Sequence, residues 1–114
     1  MARPQKQRCI CSLPGVTGFS PRGKASGGTI FITYDEYEAL RLLDFEHFSQ
    51  KKCAERMNIS RSTVTRIYDS VRCKIADAFV NGKQIEVKGG DVVVCTEMKS
   101  ECAGAAHCCH RYQK

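Results

Sequence analysis

Ser49 to Ile67 reads S-Q-K-K-C-A-E-R-M-N-I-S-R-S-T-V-T-R-I, and the fold of the chain turns on it. Ser49 is placed to cap a short helix running to Met57, and Ser60 to cap a second one. Asn58 falls in the turn between them, where a left-handed backbone is needed; asparagine tolerates that conformation best after glycine. Ala54, Ile59, Val64 and Ile67 supply the small or apolar contacts that two steeply crossed helices require. The pattern is that of a helix-turn-helix, the unit that lays its second helix in the major groove of DNA. The alternative is a plain helical bundle, which uses the same caps and turn.

Working outward, the second helix continues well past Ile67. Val64, Ile67, Tyr68, Val71, Ile75, Ala78 and Phe79 form a stripe at steps of three and four, and Gly82 ends it. Upstream, Thr33 offers an N-cap with Glu36 three residues on, a capping-box pair. The helix it opens runs from Tyr34 to about Asp44, with Tyr37, Leu40 and Leu43 at helical spacing and its acids early, where the helix dipole favours them. Thr29-Ile30-Phe31-Ile32 reads as a short strand or an apolar plug. Residues 1–28 hold Pro4, Pro14 and Pro21, every proline of the chain, with five glycines, and are expected to form an extended basic arm. Beyond Gly82, Gln84–Val87 and Val92–Val94 flank Lys88-Gly89-Gly90-Asp91, which predicts a β-hairpin. The expected class is mainly α. A three-helix helix-turn-helix core spans residues 29–83, with the arm at 1–28 and a hairpin plus Cys/His-rich tail at 84–114.

Charge follows the same division. The 114 residues carry a formal net charge of +6. Residues 1–33 contribute +5 with no acid, residues 34–48 contribute −4, residues 49–83 contribute +5, and the remainder is neutral. The positive excess thus lies on the arm and the helix pair, as on a surface that meets polyanions. No run approaches the roughly 18–20 apolar residues of a membrane span and no export signal follows Met1, so a cytoplasmic protein with no membrane association is expected.

On the second helix, Arg61, Ser62, Thr63, Thr65 and Arg66 are cationic or hydrogen-bonding and fall in the turns that reach base edges. Ser49, Lys51, Lys52 and Ser60 suit phosphates, through hydroxyls, charge and the unpaired amides of helix N-termini. Arg72 and Lys74 read as phosphate contacts or solvated charges. Arg3, Lys6 and Arg8 either follow the DNA backbone or enter the minor groove, the alternative being a solvated, unbound arm.

A resemblance supports this reading. The run E-Y-E-A-L-R-L-L-D-F-E-H-F-S from Glu36 to Ser49, followed by Q-K-K-C-A-E-R-M-N-I-S-R-S-T-V, resembles the fourth conserved region of bacterial sigma factors. In that family the region binds the promoter −35 element. The whole chain is similar to a family of small, uncharacterised prokaryotic proteins predicted to bind DNA. The likeness lies in Ala2-Arg3-Pro4, the arm from Arg8 to Pro14, the E-Y-E-A-L-R-L helix, the segment A-D-A-F-V-N-G-K and the cysteine-bearing tail. The chain lacks the other conserved sigma regions, and Asn58 replaces the commoner glycine of the turn. What the resemblance implies is double-stranded DNA binding by a transcriptional regulator, with RNA polymerase or a regulatory protein as the alternative partner. A single reading helix gives limited specificity, so a homodimer is attractive.

Eight cysteines in such a chain read as metal ligands or redox thiols before disulfides. Cys53 and Cys73 lie in expected helices and read as core or incidental packing. Cys9, Cys11, Cys95, Cys102, Cys108 and Cys109 lie in the terminal segments, with His107 and His110 nearby. The expected metal set is Cys95, Cys102 and Cys108, with a fourth ligand from Cys109, His110 or Cys9. Zinc is the expected ion, and an iron–sulfur cluster the alternative; a reactive tail without metal is the remaining reading. No phosphate loop, acid–base pair or cofactor fingerprint accompanies these thiols, so an enzyme is not expected.

Overall fold

The computed structural model describes residues 8–23, 25 and 27–94. Five short strands and three helices follow in the order β1 (Arg8–Ile10), β2 (Gly18–Phe19), β3 (Thr29–Ile32), α1 (Tyr34–Leu40), α2 (Gln50–Met57), α3 (Arg61–Asn81), β4 (Gln84–Val87) and β5 (Val92–Val94). Between α1 and α2 the helix widens into a π turn over Arg41–Phe45. The core is mainly helical. Among the described residues, no helix is long and apolar enough to cross a membrane.

The helix ends are set locally. Thr33 Oγ1 accepts the Glu36 amide at 3.4 Å and Glu36 Oε1 accepts the Thr33 amide at 2.9 Å, closing a capping box on α1. Ser49 Oγ accepts the Lys52 amide at 3.1 Å, and Ser60 Oγ the Thr63 amide at 3.2 Å. Asn58 ends α2 in the left-handed region at φ 59°, and the Ile59 amide donates back to Ala54 O at 3.0 Å. Gly82 ends α3 in the same conformation. The expected helix to Asp44 differs in its last turn: the Glu46 amide donates to Arg41 O, five residues back. His47, at φ 63°, then terminates it.

Two apolar clusters divide the core along α3. Val64 and Ile67 meet Ala39, Leu42, Cys53, Ala54 and Met57, which locks α2 and α3 together over α1. Val71 meets Ile32 and Val87, with Ile30, Tyr37, Ile75 and Ile85 around them. The end of the α3 stripe departs from expectation. Ala78 is buried, but Phe79 is 80% exposed. At ~100° per residue, Ala78 lies within about 20° of Val71 around the helix, whereas Phe79 lies about 80° away.

The expected hairpin of Gln84–Val87 with Val92–Val94 does not form. Instead β4 runs parallel to β3, with Thr29 opposite Gln84 and Ile32 opposite Val87, and antiparallel to β2, with Phe19 opposite Ile85. β5 runs parallel to β1, with Cys9 opposite Val93. Lys88 to Asp91 redirects the chain rather than reversing it. Gly89 and Gly90 both take positive φ, the Gly89 carbonyl accepts the Tyr34 amide at 2.9 Å, and the Arg8 amide donates to Asp91 O at 3.2 Å. A Cβ on Gly90 would sit 3.0 Å from Asp35 Oδ1, so glycine is required for the approach as well as for the backbone. Within the segment read as an arm, Arg8–Ile10 and Gly18–Phe19 are thus strands of two sheets completed by the residues after α3.

Candidate nucleic-acid interface

The first turns of α2 and α3 come to one side of the molecule. In and beside those turns Ser49, Lys51, Lys52, Ser60, Arg61, Ser62, Thr65 and Arg66 are all exposed, and Thr63 is half-buried. One bond fixes the two helices at this edge: Thr65 Oγ1 donates to Gln50 Oε1 at 2.7 Å. The same hydroxyl lies 3.2 Å from Arg61 O, so Thr65 braces the helix pair as well as facing solvent. Ser60 Oγ lies 3.1 Å from Ser62 Oγ and 2.8 Å from Thr63 Oγ1, a hydroxyl cluster over the N-terminus of α3. Lys52 Nζ stands 4.6 Å above the Phe48 ring, which orients it over the start of α2.

Below this edge lies an open groove of about 700 Å³, lined by Arg8, Lys51, Glu55, Asn58, Ser60 and Arg61 among others. Three cations and one carboxylate line it, beside the free amides of a capped helix N-terminus, a combination suited to an anion. Arg8 is the member that sequence reasoning placed on a solvated or DNA-following arm. Here its guanidinium donates to Asp35 Oδ2 at 2.6 Å, and β1 carries it to the groove.

The acids of the first helix are engaged inside the protein. Glu38 is 2% exposed. It accepts Arg41 Nε at 2.9 Å, Arg41 Nη2 at 3.0 Å and the Cys11 amide at 2.8 Å. Arg41 also reaches Glu46 at 3.1 Å. Burial works against the Arg41 charge, but the bonds it donates to Glu38 outweigh it and hold the guanidinium firmly protonated. Glu36 accepts Lys74 Nζ at 2.7 Å and Ser70 Oγ at 2.6 Å, tying the start of α1 to the middle of α3. Lys74 also donates to Phe31 O at 2.8 Å, so it braces the fold and is not simply a solvated charge. Arg72 is exposed and lies 5.2 Å from the Tyr68 ring.

Burial alone raises the Glu36 carboxyl, but hydrogen bonds from Lys74, Ser70 and the Thr33 amide outweigh it and hold its pKa below the ordinary 4.5. A depressed folded-state value contributes stability that is complete above about pH 4.5 and lost as pH falls through the lower folded value. Glu36→Gln is therefore expected to destabilise the protein by about 2 kcal/mol at pH 7 and to flatten the acid limb of its stability profile. Urea denaturation at several pH values checks both; an unchanged acid limb would refute the assignment.

With this arrangement described, comparison with known proteins places the chain. Residues 1–95 match the family model described as a protein of unknown function, DUF134. The chain belongs to that family. Relatives named UPF0251 protein agree along most of its length. One from Thermoanaerobacter pseudethanolicus is 44% identical over 109 residues, covering 94% of this chain and 92% of its own. One from Desulfitobacterium hafniense strain Y51 is 40% identical over 104 residues, 90% of this chain and 83% of its own. A third, from Methanothermobacter thermautotrophicus, is 45% identical over 93 residues, 82% of this chain but 49% of its own. No solved structure matches significantly.

Within this DUF134 chain the thiols separate by environment. Burial, aided by the nearby Glu38 charge, pushes the Cys53 thiol up to about 12, so it remains protonated in the α2–α3 core. Cys73 is exposed on α3. Cys9 is half-buried in β1, and Cys11 is buried with its Sγ 2.8 Å from Arg56 Nη2. Cys95, Cys102, Cys108, Cys109 and His110 of the expected metal set lie outside the described residues. Among the described residues, no group of three or more potential ligands is assembled. Sequence reasoning left Cys11 and Arg56 out of any site. Their contact spans 45 positions, and no local spacing announces it.

Proposed function

We propose that this protein binds double-stranded DNA sequence-specifically through a helix-turn-helix like the fourth conserved region of sigma factors, and acts in the cytoplasm as a transcriptional regulator rather than an enzyme. The observation that carries the reading is the edge formed by α2 and α3. Arg61, Ser62 and Arg66 are exposed on the first turns of the helix that would enter the groove, and the Thr65–Gln50 bond fixes that helix against the capped start of α2. In this reading α3 reads base edges, while Ser49, Lys51, Lys52 and the Ser60 end of α3 hold phosphates. The internal pairing of Glu36 and Glu38 adds support, because it keeps carboxylates from opposing a polyanion. Transcriptional regulation and possession of a sigma-like unit are inferences from that geometry together with the sequence resemblance.

The test is fluorescence anisotropy of purified full-length chain on labelled duplexes selected from a random pool. Affinity is expected to fall linearly with the logarithm of salt concentration, with a slope corresponding to several released counterions. A selection that enriches no sequence, together with salt-insensitive retention of duplex, would refute the reading.

One observation favours a second reading, a sigma-like module that binds RNA polymerase or a regulatory protein. Phe19, Phe79 and Val80 are 63%, 80% and 81% exposed around the C-terminal end of α3, remote along that helix from Arg61. Aromatic and aliphatic surface of this kind suits a protein contact, a second copy of the chain included.

A further inference from the structure

We infer that the face formed by the C-terminal end of α3 with β2 and α1 is a two-fold interface with a second copy of this chain. On α3, Ala76, Phe79 and Val80 recur at steps of three and four as a second apolar stripe, exposed beside the buried one. Phe79 and Val80 are 80% and 81% exposed, and Phe19 and Phe45 are 63% exposed. Between Phe19 and Phe79 lies a groove of about 320 Å³ walled by Tyr37, Leu40, Ile75 and Ile85, and no charged side chain among the described residues lines it. An adjoining groove shares Tyr37 and Leu40 with it and extends to Phe45. Phe19 and Phe79 share a further depression with Val80. The four exposed side chains therefore belong to one continuous face.

Area and charge select a second copy as the occupant. At ~200 Å² per ring the three phenylalanines present roughly 400 Å² of apolar surface, and Val80 with the groove walls brings this to roughly 500 Å². A contiguous patch of that size marks an interaction surface. A homodimer interface of ~800 Å² per copy, ~65% of it apolar, calls for about the same amount. The chain carries +6, so two copies approach at least electrostatic cost through an uncharged face. At its borders Asp44 accepts the Tyr68 hydroxyl at 2.7 Å and Lys83 meets Asp77 at 3.0 Å, so both are engaged within the chain. In the groove itself a charged partner has nothing to pair with, whereas a two-fold contact needs only a patch that matches itself. Position adds a third argument, which alone rests on the proposed function. Arg61 and Phe79 stand ~27 Å apart along α3 at ~1.5 Å per residue. Copies joined at Phe79 can therefore present their Arg61 ends at the ~34 Å separation of successive major grooves.

Sedimentation equilibrium of the purified full chain without DNA tests the contact. The expected mass is that of two chains, falling toward one on dilution. Phe79→Ala should weaken association ~10-fold, and Phe79→Glu, which buries like charges in the contact, at least ~100-fold. Both should leave the circular dichroism spectrum unchanged, because the side chain of the single copy already stands in solvent. Phe31 supplies the control: it is 47% exposed and alternates with Ile32 to the other side of the sheet, so Phe31→Glu should leave the mass unchanged. A wild-type chain of single mass at every concentration overturns the inference, as does a dimer that Phe79→Glu leaves intact. A monomer that captures RNA polymerase through Phe79 would assign the face to another protein and overturn it equally. In the duplex selection, the dimer predicts inverted repeats with centres ~10 base pairs apart, or a multiple of that. Because mass is read without DNA, a dimer that enriches no duplex would refute the DNA reading and still support this contact.

Discussion

Arg61→Ala and Arg66→Ala are each expected to weaken binding to a selected duplex by about 1–3 kcal/mol, or roughly 5- to 150-fold, and to relax preference at distinct base positions. The expectation follows from where the two side chains stand. Both are exposed in the first turns of α3, and neither forms an ion pair within the protein among the described residues. Removing them therefore costs the fold little, and circular dichroism should be unchanged. The two positions lie five residues apart, about 140° around the helix, so they would meet different parts of the groove. Lys51→Ala and Lys52→Ala supply the contrast. Each is expected to weaken all duplexes evenly and to lower the salt slope by about one. If the arginine variants behaved like the lysine variants, α3 would be a phosphate-binding helix and not a reader of bases.

Glu38→Ala is expected to be the most damaging single carboxylate substitution for stability, at about 3–5 kcal/mol. The side chain is 2% exposed and takes three hydrogen bonds, two from Arg41 and one from the Cys11 amide. Its removal leaves a half-buried guanidinium without its main partner and a buried amide without an acceptor. For a domain of this size that loss corresponds to a fall in Tm of roughly 12–20 °C. Glu38→Gln should fall between, since it preserves volume and one acceptor but loses the charge. Glu86→Gln is the control: Glu86 meets Lys88 at 3.7 Å with both side chains about half exposed, and its loss should cost under about 0.5 kcal/mol. Thermal melts followed by circular dichroism check all three. Equal effects at Glu38 and Glu86 would show that the interior network does not hold the fold.

These two expectations come from different sources of information. The α3 residues were legible in the sequence because a helix N-terminus is a local object. Ser60, the three residues after it and Asn58 before it specify the cap, the turn and the exposed side within one short window. Glu38 was legible only as an acid on a helix. Arg41, three residues on, stands at ordinary helical pair spacing, but the Cys11 amide comes from 27 positions away, and no local spacing announces it or the burial it brings. Lys74 shows the same limit: a cation on the flank of a basic helix becomes a brace once Glu36 and the Phe31 carbonyl are beside it.

By itself, then, the sequence determined the helices, their caps, the left-handed turn at Asn58 and the stripe through Val64, Ile67 and Val71, all of which depend on residues within a turn or two of one another. Only the tertiary structure decided which strands pair. Gln84–Val87 and Val92–Val94 alternate and flank glycines as a hairpin would, yet each finds a parallel partner more than fifty residues away. Parallel pairing leaves no local turn to read, because its partners are brought together by the helices packed between them. The same long-range closure buries Glu36 and Glu38, carries Arg8 to the groove, and sets Cys11 at the seam beside the end of β5.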